Sequence, residues 1–110
     1  MSFILMKLFA FRDRTLNSAD DYGAYHAFDI LQTIDSMDRA EWDEARTLLG
    51  DAEATVVVAE ARSIVTTLFG SARSKGSVRL IEYARTRQGV PLTLAQLELF
   101  VRELHDLFAG

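Results

Sequence analysis

The sequence predicts an all-α fold, a single compact bundle of about five to six helices that spans residues 1–110. Apolar residues recur at helical spacing in several segments. The chain has only one proline and six glycines, which is too few for the turn-rich connections of a β-sandwich. Because no linker, repeat or low-complexity tract interrupts the chain, one helical domain accounts for all of it.

The composition excludes several classes of protein. With 49% hydrophobic and 25% charged residues, the chain has the make-up of a folded globular domain. The absence of cysteine rules out disulfides, thiolate zinc sites and a cysteine nucleophile, and it is compatible with the cytoplasm, the location we expect. The net charge of −4 and the pI near 5.1 argue against nucleic acid as a partner.

The apolar run SFILMKLFAF at residues 2–11 indicates a buried helix rather than a targeting or membrane segment. A signal peptide carries its positive charge before the apolar run, whereas Lys7 lies in the middle of this one. A membrane span needs about 20 apolar residues. We therefore predict a central helix from about Phe3 to Arg14, with Ser2 as its N-cap, and no membrane as partner.

Apolar spacing and capping signals place the remaining helices. Asp38 with Glu41 and Thr93 with Gln96 are capping boxes, in which two side chains satisfy free backbone N–H groups reciprocally. Gly23, inside the second helix, indicates a close approach of another backbone. The predicted helices cover Asp20–Ile34, Arg39–Leu49 (with Trp42, Ala45, Leu48 and Leu49 inward), Asp51–Phe69 (with Val57, Ala61, Ile64, Val65 and Leu68 inward) and Ser77–Thr86 (with Val78, either Leu80 or Ile81, and Ala84 inward). A last helix after Thr93 buries Leu97, Phe100, Val101, Leu104 and Phe108.

Three segments between or within these helices have other signals. Residues 15–20 (TLNSAD) have turn composition. The run TVVV at residues 55–58 has β propensity, so a short strand competes with the helix there. Residues 71–77 (SARSKGS) predict a mobile loop that carries Arg73 and Lys75.

The polar residues best suited to chemistry lie in the first two predicted helices. Lys7 interrupts an apolar helix, and its ammonium either reaches water along the edge of the core or enters a cleft and meets a carboxylate or a phosphate. Tyr22, His26 and Asp29 are spaced i, i+4 and i+7 and share one helix face. Asp29 is placed either to orient the imidazole or to pair with Lys7. Two ligands do not make a metal site, so none is expected.

The sequence contains no complete catalytic motif. Glycine-rich phosphate loops, a nucleophile elbow and the HExxH zinc motif are all absent from it. The serines have no general base at a suitable spacing. We therefore expect a chain that is not an enzyme on its own and that carries no cofactor.

Two segments carry a family resemblance. LMKLFAFRDR at residues 5–14, followed by Asp20-Asp21 and by HAFDI at residues 26–30, resembles part of the AbiEii-type nucleotidyltransferases, which include toxins of toxin–antitoxin systems. In that family a helix bearing KLxA, often followed by an arginine, precedes a helix with a basic–Asp–x–x–Asp–apolar motif. The resemblance implies that Lys7 contacts nucleotide phosphates and that Asp29 or Asp21 completes the pocket. The candidate residues for binding a nucleotide or a partner are Lys7, Asp29, His26, Asp21 and Arg14.

The resemblance covers only about the first third of the chain. The family's catalytic core is an N-terminal β-rich subdomain with a Gly-Ser motif and metal-binding carboxylates, and nothing before Lys7 supplies it. Phosphoryl transfer depends on metal ions and on a positioned triphosphate. The resemblance thus implies a non-catalytic helical module, the C-terminal part of such a protein, that binds a protein partner and completes that partner's nucleotide pocket.

A second function stays open at this level. A small acidic interaction protein, such as an antitoxin, a phage-type inhibitor or an assembly factor, acts by surface binding and can mimic the charge of nucleic acid. A net charge of −4 makes this chain a weak mimic. Seven phenylalanines and a mean hydropathy of +0.06 also predict an exposed apolar patch and a homodimer, with the first and last helices contributing.

Overall fold

The computed structural model describes residues 2–17, 23–49 and 55–109. Within these ranges every regular element is a helix and no strand occurs. The predicted all-α bundle of about six helices is therefore confirmed. The helices are α1 (Ser2–Asn17), α2 (Ala24–Ser36), α3 (Arg39–Leu49), α4 (Thr55–Leu68), α5 (Lys75–Thr86) and α6 (Leu94–Phe108).

Both predicted capping boxes are present. The Asp38 carboxylate accepts a hydrogen bond of 2.8 Å from the backbone N–H of Glu41, and the Glu41 carboxylate accepts one of 3.2 Å from the N–H of Asp38. Thr93 and Gln96 form the same pair of bonds at the start of α6, at 3.1 and 2.8 Å. Each box satisfies two otherwise unpaired N–H groups. As a result α3 has its predicted bounds and α6 begins directly after Thr93.

Several other boundaries differ from the prediction. Ser2 lies in the first turn of α1 instead of capping it, and α1 continues to Asn17 through half of the predicted turn. Nothing in residues 15–17 breaks a helix, since side chains of this kind are tolerated in a last turn. α2 begins only after Gly23. The predicted start of α2 at Asp20 lies outside the described residues. So does Gly50, the predicted C-terminal stop of α3.

The β-branched run at residues 55–58 is the first turn of α4, so the strand alternative is wrong. Tertiary packing overrides the β propensity here. Val58 is buried and Val65 lies beneath it two turns later, whereas Val57 is 45% exposed. The prediction that Val57 points inward is therefore wrong, because the buried stripe of α4 begins one residue later.

A hydrogen-bonded turn and the start of α5 replace the mobile loop predicted at residues 71–77. Buried Ser77 donates its hydroxyl to the carbonyl of Ser71 at 2.7 Å, and the Ser74 hydroxyl accepts from the N–H of Ser71 at 2.9 Å. A side chain at Gly76 would lie 2.5 Å from the carbonyl oxygen of Leu68. α5 therefore packs directly against the end of α4, with backbone close to backbone.

The core is built mainly from α1, α2, α4 and α6. α1 packs between α2 and α4, and α2 also contacts α5. Phe69 joins two parts of the core, since its ring lies 5.5 Å from that of Phe11 and 5.7 Å from that of Phe100. The five α6 residues predicted to be buried are buried, which confirms that stripe. Residues 99% or more buried include Ile4, Leu8, Phe11, Ile30, Phe69, Leu80, Phe100, Leu104 and Leu107.

Besides Val57, two more residues predicted to point inward are exposed. Leu48 is 50% exposed because α3 turns Ala45 and Leu49 into the core and packs Trp42 against it, which leaves Leu48 on another face. Val78 is 48% exposed because small residues, Gly76 and Ser77, form the close contact at the start of α5. No helix within the described ranges has the length and apolar character needed to cross a membrane.

Candidate functional site

The polar residues singled out in the first two helices meet where α1 packs on α2. The Nζ atom of Lys7 lies 2.8 Å from Oδ2 of Asp29 and 3.3 Å from Nδ1 of His26. An ammonium can only donate, so both of these atoms are acceptors, and the ring proton of neutral His26 is on Nε2. Of the two placements that the sequence allowed, Lys7 meets a carboxylate instead of reaching water alone.

Two aromatic rings complete the surroundings of the ammonium. Nζ of Lys7 lies 5.4 Å from the centre of the Phe3 ring and 5.8 Å from that of Tyr25. The Tyr25 and His26 rings are themselves 3.9 Å apart at an angle of 40°. Ring faces attract a cation at these distances. The ammonium is thus held by one carboxylate, one imidazole and two rings.

Helical spacing explains why these groups converge. Phe3 and Lys7 are one turn apart on α1, and His26 and Asp29 are one turn apart on α2, so each helix turns a pair toward the other. The Thr33 hydroxyl donates to the carbonyl oxygen of Asp29 at 2.8 Å. Neither Phe3 nor Tyr25 was among the predicted site residues. The signal for Phe3 was its i, i+4 spacing from Lys7.

Gly23 sets the distance between α1 and α2 beside the site. Its φ is +70°, and a Cβ atom there would lie 2.3 Å from Cβ of Arg14 and 3.5 Å from a carbon of the His26 ring. A side chain there would overlap the stem of Arg14, so α2 could not pack this closely on α1. The close approach predicted at Gly23 is real, although it is to the stem of a side chain instead of to a backbone.

The lysine–aspartate pair is only partly buried. The side chain of Lys7 keeps 15% of its exposure and that of Asp29 keeps 36%. An ammonium has three N–H donors, and two of them point at Asp29 and His26. In the part of the chain that the structure describes, Lys7 has no third polar partner. One donor is therefore left for an acceptor from outside.

The remaining predicted site residues do not join this cluster. Arg14 is exposed and lies two turns beyond Lys7, about 10 Å along α1 at 1.5 Å per residue. Its stem packs beside Gly23, but no ion pair connects it to the cluster. Asp21 lies outside the described residues, and so does Tyr22. The site thus consists of Lys7, His26 and Asp29, with Phe3 and Tyr25 as its walls.

Other polar contacts of the described residues are structural. His105 donates from Nε2 to the carbonyl oxygen of Phe69 at 2.8 Å and ties α6 to the end of α4. Arg12 of α1 pairs with Glu60 of α4 at 2.7 Å, and this hydrogen bond raises the pKa of Arg12. Glu60 therefore pairs with a residue of another helix. Within the described ranges no group of three potential ligands is placed to hold a metal ion.

One carboxyl group outside the site is electrostatically strained. Burial raises the pKa of Glu103, and the nearby carboxylates of Asp35 and Asp106 raise it further. Arg102 opposes the shift. Desolvation and like charges both disfavour the ionised form. These carboxylates belong to the end of α2 and to α6 and are not part of the Lys7 cluster.

Neither a scan against models of protein families nor searches of curated proteins and of solved structures find a match to this chain. The geometry of the Lys7 cluster therefore carries the functional interpretation. The cluster holds one oriented ammonium between two aromatic rings at the surface. One N–H donor of that ammonium is available to an acceptor from outside.

Proposed function

We propose that the chain is a non-catalytic helical module, similar to the C-terminal part of a nucleotidyltransferase-like toxin, that binds a protein partner and completes the partner's nucleotide pocket. The observation that supports this most is the ammonium of Lys7. Asp29 and His26 fix its position while one N–H remains for an outside acceptor. A phosphate oxygen is an acceptor that suits an ammonium in charge and geometry.

The surroundings of Lys7 favour a strongly charged acceptor. Asp29 already neutralises the ammonium, so a neutral acceptor gains only an ordinary hydrogen bond. A phosphate group of a nucleotide carries enough negative charge to compete with Asp29 or to share the cation with it. The rings of Phe3 and Tyr25 close two sides of the ammonium, which leaves the solvent side for the phosphate.

A partner is needed because this cluster supplies a single cation. Stabilising a triphosphate takes several donors and metal ions. The cavity beside Phe3 has a volume of about 160 Å³, below the 300–1,000 Å³ of usual small-molecule sites. Phe3 is 44% exposed and Met6 is 58% exposed next to it. These apolar side chains offer a partner a contact at the edge of the site.

The experiment compares two lysine variants in the complex purified with its partner from the native host. A fluorescent ATP analogue with Mg²⁺ is titrated into the wild-type complex and into complexes carrying Lys7→Met or Lys75→Met. Lys75 is the chain's other lysine and is exposed on α5. We expect Lys7→Met to weaken nucleotide binding at least tenfold, about 1.4 kcal/mol, and Lys75→Met to change it little. Equal binding by all three complexes, or recovery of the chain without any partner, would contradict the proposal.

A second function, an acidic interaction protein, is favoured by the acidic side of the cavity beside Phe3. Phe3 and Leu48 border the 160 Å³ cavity, and Glu41 and Glu44 form part of its lining. This arrangement suits a basic protein segment with one apolar anchor residue. If this is the function, partner capture is lost with Glu44→Lys and is unaffected by Lys7→Met. The nucleotide proposal expects the same partner to be captured by both variants.

A further inference from the structure

α5 presents a second face, which is partly exposed: Ile81 is half-buried against the core, and the residues around it lie at the surface. Its core side buries Ala84, whereas Val78 is 48% exposed on another side. Val78, Ile81, Glu82 and Arg85 are spaced i, i+3, i+4 and i+7, so they form one continuous stripe. We call this stripe the outer face of α5.

The segment that connects α5 to α6 extends this face. Pro91 and Leu92 join the four residues of the outer face around a hollow of about 380 Å³. Val90 is 44% exposed and Leu94 is 61% exposed. Exposed apolar residues that cluster in this way, with polar residues at the rim, mark interaction sites.

The outer face carries two charged residues, Glu82 and Arg85. Among the described residues, neither Glu82 nor Arg85 makes an ion pair or a side-chain hydrogen bond, although they lie three residues apart on one helix. The face therefore offers one charge of each sign around an apolar centre. A strongly acidic or basic partner would need a single sign. A surface with both signs can complement itself.

We infer that the outer face of α5 is a dimer interface for a second copy of this chain. In a twofold interface every contact occurs twice, because residue i of one copy meets j of the other and j meets i. If the two α5 helices pack antiparallel with the axis between positions 83 and 84, Glu82 of each copy lies opposite Arg85 of the other. Two equivalent ion pairs then satisfy all four charges.

The hollow on this face is lined by the apolar side chains of Val78, Ile81, Pro91 and Leu92. A second copy seated over it removes this apolar surface from water. The sequence predicted a homodimer through the first and last helices, whereas this interface uses α5 and the segment that follows it. It does not depend on the nucleotide role proposed for Lys7.

Reversing the charges of Glu82 and Arg85 tests whether each ion pair occurs twice, as a twofold interface requires. Sedimentation equilibrium of the full chain, from about 10 µM to 1 mM, measures the mass of Glu82→Arg, of Arg85→Glu, of their equimolar mixture and of the double variant. Wild type is expected to rise from 12.3 kDa toward twice that mass. Each single reversal opposes like charges at two contacts and should weaken the dimer at least tenfold. The mixture and the double variant restore opposite charges and should dimerise again.

A matched control lies on α3. Asp43 and Arg46 have the same order and the same three-residue spacing, and both are exposed on a surface helix. Asp43→Arg and Arg46→Glu should leave the dimer unchanged, while circular dichroism confirms that every variant is folded. A wild type that stays monomeric throughout overturns the inference. So do reversals without effect, reversals matched by the α3 controls, or a mixture that fails to associate.

Discussion

The ammonium of Lys7 and the carboxylate of Asp29 are 2.8 Å apart but unequally buried, the lysine side chain at 15% exposure and the aspartate at 36%. Asp29 can still reach water if its partner is removed. Lys7 is held among rings and loses its main counter-charge if Asp29 is removed. The two halves of one ion pair therefore have different structural importance.

This difference in burial predicts that removing the Lys7 charge and removing the Asp29 charge change the free energy of unfolding by different amounts. Lys7→Met keeps an apolar stem of similar length and leaves a solvated carboxylate, so we expect a change in unfolding free energy within about 1 kcal/mol. Asp29→Ala leaves a largely buried ammonium with His26 alone, and we expect a loss of about 1–2 kcal/mol. Urea denaturation at pH 7 measures both. A larger loss for Lys7→Met than for Asp29→Ala would contradict this account of the pair.

Gly23→Ala is expected to destabilise the chain much more than Gly89→Ala. Both glycines have positive φ, +70° and +64°, so alanine is strained by about 1 kcal/mol at either position. At Gly23 the new Cβ also overlaps Cβ of Arg14, whereas nothing lies within 4 Å at Gly89. We expect a total loss above about 2 kcal/mol at Gly23.

Thermal unfolding of the two glycine variants, followed by circular dichroism, separates strain from contact. Arg14→Ala leaves Cβ in place and therefore should not rescue Gly23→Ala, whereas Arg14→Gly should rescue it in part. Equal losses at Gly23 and Gly89 would show that the approach of α1 to α2 does not depend on this contact.

Glu103→Gln is expected to stabilise the chain at neutral pH. The folded pKa of Glu103 is raised by burial and by the carboxylates of Asp35 and Asp106. A group with a raised folded pKa contributes stability below its unfolded pKa and loses it as pH rises through the folded pKa. Glutamine keeps the neutral state at every pH. The variant should therefore exceed wild type at pH 7 by less than about 1 kcal/mol.

The difference between Glu103→Gln and wild type should shrink as pH falls and vanish below about pH 4, where wild-type Glu103 is protonated in both states. Urea denaturation between pH 4 and 7 follows this change. Glu98→Gln, on an exposed part of α6, serves as control. A gain that is the same at pH 4 and pH 7 would rule out titration of Glu103 as its cause.

Sequence signals that act within one helical turn were sufficient to predict where helices begin. The capping boxes at Asp38 and Thr93 fixed two helix starts because each depends on side chains three residues apart. The Lys7–Asp29 pair is a tertiary contact, and spacing alone left it open between a cleft and water. Only the packing of α1 on α2 decides that point.

The wrong assignments of residues to the core have a common physical cause. Close packing of small residues, as well as hydrophobicity, decides which face of a helix points inward. Val78 was assigned to the core because it is apolar, yet Gly76 and Ser77 make the contact with α4. Small residues allow two backbones to approach, and periodicity of apolar residues does not report this. The same error hid the outer face of α5, since Val78 was counted as a core residue.

Removal of the two N-caps should reveal which helices carry global stability. Thr93→Ala and Asp38→Ala each remove a cap worth about 0.5–2 kcal/mol. α6 contributes six buried residues, whereas α3 contributes only Ala45 and Leu49. Because α6 cannot detach without dismantling the core, the full cost of Thr93→Ala should appear in global unfolding. α3 can open locally, so Asp38→Ala should mainly speed hydrogen exchange in residues 39–49.

Thr93→Ser keeps the hydroxyl and should restore stability. Equal effects of Thr93→Ala and Asp38→Ala on global unfolding would place α3 in the same cooperative unit as α6.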